Sequence, residues 1–245
     1  WKGWLELRPG VWDDYKKERD SAKSSYENNT NFQEAVEGRT GIDCFDYWVA
    51  EIKETNYLHN HARMWFASIW IFTLGLPWVL GADFFLKYLL DGDPASNTLS
   101  WRWVAGIQTQ GKTYLASAEN IKRFTEGRFN PAGQLAAKAR PIIGPQSQIP
   151  SPINVDPLPK FGVKTLWLVT EDNLTLEEPP VPPKDLVGVI ALNASENRAL
   201  GGSAERVTKF AENAISGATR NFNLQHGIPV EQLSVNKPTD FLSLL

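Results

Sequence analysis

Residues 64–82 contain no charged side chain, and that run constrains the fold more than any other stretch of the chain. A helix that crosses a bilayer core needs roughly 30 Å of apolar rise. Gly75 and Pro77 interrupt the run and leave about 11 helical apolar residues, roughly 16 Å at about 1.5 Å per residue. That is too short for a membrane span and suits a buried core helix, expected from Tyr57 to about Leu74. A chain of 245 residues with 42% apolar content has the material to bury it. Nine of the ten tryptophans precede residue 104, so the large aromatic side chains sit in the same half.

Composition then removes several classes of function. A single cysteine, Cys44, excludes a disulfide framework or a four-cysteine metal site within this chain, and it reads as a small core residue in a reducing compartment. His59 and His61, two residues apart, point about 200° apart on a helix and cannot jointly hold a metal, so no metal site is assigned. A net charge of −3 is too small for coating nucleic acid by bulk electrostatics. A local basic groove along Lys112, Lys122, Arg123, Arg128, Lys138 and Arg140, or a solvated helical face, accounts for the clustered cations. Residue 1 is Trp, the sole methionine is Met64, and Trp1–Leu5 resembles the interior of a helix, so the chain is expected to be a fragment or a processed form.

Texture changes along the chain. Residues 1–135 read as helices joined by short loops. Six prolines between Pro141 and Pro159 mark an extended linker, placed at 136–160. Beyond it, Lys164–Thr170 and Leu186–Leu192 are short β-branched apolar runs, as in buried strands. Ser203 to about Asn221 has helical spacing, with Val207, Phe210, Ala211, Ala214 and Ile215 on one side. Residues 161–245 are therefore expected to form a small α/β segment, to which the sequence assigns no function.

Chemistry concentrates in two places. Asn60, Arg63 and Met64, at i, i+3 and i+4, put an amide, a guanidinium and a thioether on one helical face. A buried arginine requires a carboxylate partner, and Leu90–Asn97 offers Asp91 and Asp93. Asp93 followed by Pro94 is a helix start, with the acid as N-cap and proline at the first helical position. Asn97 and Trp101 follow at i+4 and i+8 from Asp93, and Trp103 lies two residues beyond. A capped core helix with tryptophan packing explains the same spacing.

These residues resemble the helical FAD-binding domain of the DNA photolyases and cryptochromes. The resemblance runs from Gly38-Arg39-Thr40-Gly41 through Leu58–Met64, Trp78, Asp91-Gly92-Asp93, Asn97 and Trp101-Arg102-Trp103 to Phe129-Asn130-Pro131. It implies a mainly α fold: a photolyase-type FAD-binding domain, then the proline-rich linker and the α/β segment. It further implies that Arg63 and Asp91 pair beside the isoalloxazine, that Asp93 lies over the flavin or its ribityl chain, and that Asn97 faces flavin N5. Trp101 would be the nearest electron donor and Trp78 the next relay. Asn60, also counted with the cofactor side, would join Met64 and Trp103 in lining the pocket for a flipped pyrimidine dimer in damaged DNA. The implied activity is light-driven splitting of cyclobutane pyrimidine dimers by reduced FAD, in a cytoplasmic, nucleoid-associated protein; a cryptochrome-like light receptor is the alternative. No antenna chromophore, metal, membrane partner or oligomeric state is assigned.

Departures from the family pattern are specific. Its outermost tryptophan would fall near Ser25, next to Tyr26; Trp48, Trp65 and Trp70 offer other routes. Thr98-Leu99-Ser100 replaces an Asn-Gly-Gly stretch. The segment cradling the FAD phosphates and the lesion-binding glutamate are expected upstream of Trp1. Gly106–Thr113 matches the G-x-x-x-x-G-K-T phosphate loop, and a nucleotide triphosphatase is the alternative from another class. That reading requires a buried strand before the glycine, where Arg102 interrupts Trp101–Ala105. A helical module without FAD is the last alternative.

Overall fold

In a computed structural model the chain is described over residues 2–144, 150–153 and 162–234. It divides into two compact units, Trp1–Ile153 and Asn154–Leu245. The first is built from α1 (Lys2–Leu7), α2 (Gly10–Tyr26), α3 (Thr30–Glu37), α4 (Asp43–Thr55), α5 (Asn60–Ser68), α6 (Trp78–Tyr88), α7 (Pro94–Ala105) and α8 (Ala118–Phe124).

The uncharged run forms the centre of this unit, in two pieces. α5 passes into a π-helical turn over Ile69–Thr73, closed by Leu74 N–H on Ile69 O at 2.9 Å and Leu76 N–H on Trp70 O at 3.0 Å. Pro77 ends the run, and its carbonyl accepts the Trp70 indole N–H at 2.9 Å before α6 starts. Trp70, Trp78 and Trp101 are at most 2% exposed and, with Tyr15, Phe45 and Phe66, are the largest fully buried side chains among the described residues. The expected helix from Tyr57 is shorter at its start. Tyr57 and Leu58 are outside it, and α5 begins at Asn60, because Asn56 ends α4 in a left-handed conformation (φ 57°) and the chain must turn before it can coil again. No helix among the described residues is long and apolar enough to cross a membrane.

Part of the proline-rich stretch lies on the helical unit. Ile142 N–H bonds Ala105 O at 3.1 Å, at the end of α7, and Ser151 N–H bonds Leu7 O at 2.7 Å. Residues 145–149 and 154–161 are outside the described residues.

The second unit is a three-stranded parallel sheet in the order β1 (Thr165–Thr170), β2 (Leu186–Asn193), β3 (Val230–Ser234), with α9 (Glu205–His226) between the last two. Trp167 stands opposite Val189 and Val169 opposite Ala191. Val169, Val189, Ala191, Ile215 and Phe222 form its core. Phe210, expected on the buried side of α9, is 53% exposed. The buried stripe runs Val207, Ala211, Ile215, Thr219 and Phe222, and Phe210 lies beside that stripe rather than in it. Val230–Ser234 was not foreseen as a strand: Val-Glu-Gln-Leu-Ser has little apolar content, and its place is set by pairing with β2.

Candidate functional site

Three segments of the helical unit create one cavity. α5 starts where the His59 Nδ1 accepts the His61 backbone N–H at 3.3 Å, and the helical repeat then puts Asn60, Arg63, Met64 and Ala67 along one wall. Asn56 donates from Nδ2 to Tyr88 O at 2.7 Å and accepts Leu90 N–H on its own carbonyl at 3.0 Å. This clamp holds the turn after α6 against the end of α4, just before α5, and brings Asp91 to Arg63.

Arg63 is fixed twice. Its Nη2 lies 3.0 Å from Asp91 Oδ1, and its Nε donates to Leu58 O at 2.7 Å. The pair is not buried as the sequence implied: the Asp91 side chain is 62% exposed and that of Arg63 23%. The turn Leu90–Asp93 runs at the surface, so water screens the pair. An exposed pair contributes only about 0–1 kcal/mol to stability, and its consequence here is the direction in which the guanidinium is held.

The opposite wall is α7. Asp93 Oδ1 accepts Ser96 N–H at 2.7 Å and caps the helix, with Pro94 at its first position. One turn later Asn97 donates from Nδ2 to Ala82 O at 2.8 Å, which anchors the amide on α6 and leaves its oxygen and second N–H for other partners. Trp101 follows another turn on, 2% exposed, against Phe85 (ring centroids 5.1 Å apart), Trp70 (6.3 Å) and Phe66 (6.4 Å) in edge-to-face contacts. It reaches α6 because residue 81 is glycine; a Cβ there would overlap the Trp101 ring. Among the described residues the buried Trp101 Nε1 has no hydrogen-bond partner.

Together these walls enclose about 440 Å³, within the span of roughly 300–1,000 Å³ usual for small-molecule sites. Asn60, Arg63, Met64, Asp91, Asp93, Asn97, Trp101 and Trp103 all line it. Trp103 stands at the rim, 39% exposed, with Tyr114 stacked against it at 5.7 Å. Trp78 does not line the cavity; it is buried in α6, 5.8 Å from the Tyr15 ring. The lining also contains Phe85, Leu89, Ser96 and Ser100, which the sequence reading missed. Ser96 and Ser100, at i+3 and i+7 from the cap, share the face of Asn97 and were open to the same helical count.

A planar aromatic group with polar edges fits this lining. Trp101 and Phe85 supply apolar surface, Arg63 a fixed cation, and Asn97 an anchored amide.

Other candidate residues fall elsewhere. His59 and His61 line a second cavity of about 390 Å³ with Trp48, Trp65 and Arg128. Among the described residues no group of three or more His, Cys, Asp or Glu is placed to hold a metal ion. The phosphate-loop reading of Gly106–Thr113 is overturned, since Trp101–Ala105 is the end of α7, Gly106 is its left-handed C-cap, and α8 begins only at Ala118. Cys44 is 1% exposed and burial pushes its thiol up to about 12, which removes it as a nucleophile.

Residues 5–138 match the family model for the FAD binding domain of DNA photolyase. The chain is 37% identical over 106 residues to the deoxyribodipyrimidine photo-lyase of Streptomyces griseus, covering 43% of this chain and 23% of that protein. It is 35% identical over 118 residues to the enzyme of the same name from Salmonella typhimurium (48% and 24%), and 33% over 106 residues to that of Escherichia coli (42% and 22%). The chain thus spans less than a quarter of the length of each of these relatives. No solved structure matches it.

Proposed function

The chain belongs to the FAD-binding domain family of DNA photolyases, and on that premise we propose that its cavity seats the isoalloxazine of FAD and serves light-driven repair of cyclobutane pyrimidine dimers in DNA. The observation that carries this reading is the convergence of Arg63, Asp91, Asn97 and Trp101 on one cavity.

When bound, reduced FAD supplies a light-excited electron that splits the cyclobutane ring and then returns. The chain's own residues do the rest. Arg63, held by Asp91 and Leu58 O, would present a fixed positive charge to a ring that carries negative charge in the cavity. Asn97, anchored on Ala82 O, offers an amide that donates or accepts. Trp101, in the cavity wall, would be the electron donor to the flavin, and Asp93 fixes the α7 start that positions both.

At the mouth, Trp103 offers an exposed stacking face braced by Tyr114, and Asn60 and Met64 line the adjoining wall. A flipped base stacked on such a face gains about 1–3 kcal/mol. Flavin and lesion would then share one enclosure, which keeps electron transfer short.

The test is full-length protein loaded with FAD and illuminated with a dimer-containing oligonucleotide. Light-dependent loss of the dimer, abolished by Trp103→Ala at limiting DNA, is expected. FAD uptake with flavin photoreduction but no dimer loss would replace repair by light sensing.

A further inference from the structure

Position 25, where the family pattern has its outermost tryptophan, is Ser25, and among the described residues Tyr26 makes no ring contact with Trp78. The ring that meets Trp78 is Tyr15, at 5.8 Å, and Trp12 stacks on Tyr15 at 4.9 Å with planes 24° apart. Tyr26 is eleven residues beyond Tyr15 on α2, roughly 16 Å along the axis at about 1.5 Å per residue. Trp78 and Tyr15 are each 1% exposed, whereas Trp12, one turn back on α2, is half-buried. On the inner side, Trp78 stands one turn before Gly81, the residue on which the Trp101 ring rests.

Resting on the assignment of Trp101 and Trp78 as donors to FAD, we propose that Trp12 is the outer electron donor of this chain, connected to Trp78 through the ring of Tyr15. The co-reactant is light-excited oxidised flavin, which takes one electron from Trp101; Trp101 is refilled from Trp78, and Trp78 from Trp12. The Trp12 indole then releases its N–H proton to water and remains as a neutral radical. An external one-electron reductant such as a thiol or ascorbate restores it, with uptake of one proton.

Tyr15 acts as a bridge rather than a resting place for the charge. Losing an electron from a phenol at neutral pH requires losing its proton as well, and among the described residues no acceptor meets the buried Tyr15 hydroxyl. Burial, with Asp83 next, holds that hydroxyl protonated far above its ordinary range. The Arg19 guanidinium, 5.6 Å over the ring, further disfavours positive charge there. Trp70 is the competing exit, because it too touches Trp101, but it is fully buried and its other ring neighbours are Phe32, Phe45, Phe66 and Phe84. None of these phenylalanines is an accessible donor.

Flash photolysis of full-length protein carrying oxidised FAD tests this by the lifetime and spectrum of the amino-acid radical. The unaltered chain is expected to give a long-lived, deprotonated tryptophanyl radical whose decay accelerates with added ascorbate. Trp12→Phe and Tyr15→Leu should lose the long-lived signal while retaining FAD; Tyr15→Phe, which keeps the ring, and Tyr26→Phe should retain it. Persistence of the signal in Trp12→Phe would overturn the proposal. If that variant does not fold, a radical in the unaltered chain that ascorbate cannot reach overturns it equally, since Trp78 and Trp70 are sealed from solvent. Failure of the unaltered chain to take up FAD removes the flavin assignment itself, and the relay with it.

Discussion

Gly81→Ala pits two opposing effects against each other. Alanine in a helix interior is favoured over glycine by about 1 kcal/mol, and Gly81 lies inside α6 at an ordinary helical conformation. The added Cβ, however, would overlap Cη2 and Cζ3 of Trp101 and come within 3.0 Å of Trp70 Nε1. Neither neighbour can yield cheaply. Trp101 is hemmed by Phe85, Phe66 and Trp70, and the Trp70 indole is tied to Pro77 O at 2.9 Å. Overpacking of this kind costs about 1–3 kcal/mol. Overlap with two ring atoms belongs at or above the upper end, leaving a net loss of about 2 kcal/mol once the helix gain of about 1 kcal/mol is subtracted. Urea unfolding measures the loss, and near-UV circular dichroism reports whether Trp101 has moved. FAD affinity should fall with it, because the shifted ring narrows the cavity. A variant that gains about 1 kcal/mol with an unchanged tryptophan signal, as a solvent-facing glycine would, would refute the close approach of Trp101 to α6.

Three further predictions probe the helix cap, the cavity mouth and the core. Asp93→Ala removes the cap on Ser96 N–H and should cost about 0.5–2 kcal/mol in denaturant unfolding, with Asp93→Asn largely retaining stability. Trp103→Ala should weaken binding of a dimer-containing oligonucleotide by about 1–3 kcal/mol in a fluorescence titration and leave unfolding nearly unchanged, because Trp103 is 39% exposed. Cys44 should resist a thiol reagent at pH 8 until the chain unfolds. The folded thiol holds its proton up to about 12, so its contribution to stability is intact below the ordinary thiol range and is lost as pH rises through that interval.

What the sequence disclosed follows from how locally each feature is determined. Asp93-Pro94 specifies a helix start by itself, and the spacing of Asn97 and Trp101 from it determines which face they share; the structure has both on one cavity wall. Arg63 was recognised as needing an acid, but its exposure was not, since burial depends on where the Leu90–Asp93 turn runs after α6. The start of α5 was misplaced because its cap is a histidine, which lacks the usual N-cap signature, while Asn56 ends α4 by adopting a left-handed backbone that sequence does not display. Likewise the π-helical turn at Ile69–Thr73 has no motif. It arises where the uncharged end of α5 must meet Pro77 and still satisfy its carbonyls. The contact of Tyr15 with Trp78 joins residues 63 positions apart on α2 and α6, and only packing brings them together.

Titration of the full-length protein with FAD, followed by flavin fluorescence, tests the arrangement of the cavity most directly. Stoichiometric uptake with strong quenching by the neighbouring indole, and recovery of emission in Trp101→Phe at unchanged stoichiometry, is the expected result. Uptake with emission that is bright in the unaltered chain and insensitive to Trp101, or no uptake at all, would contradict the account.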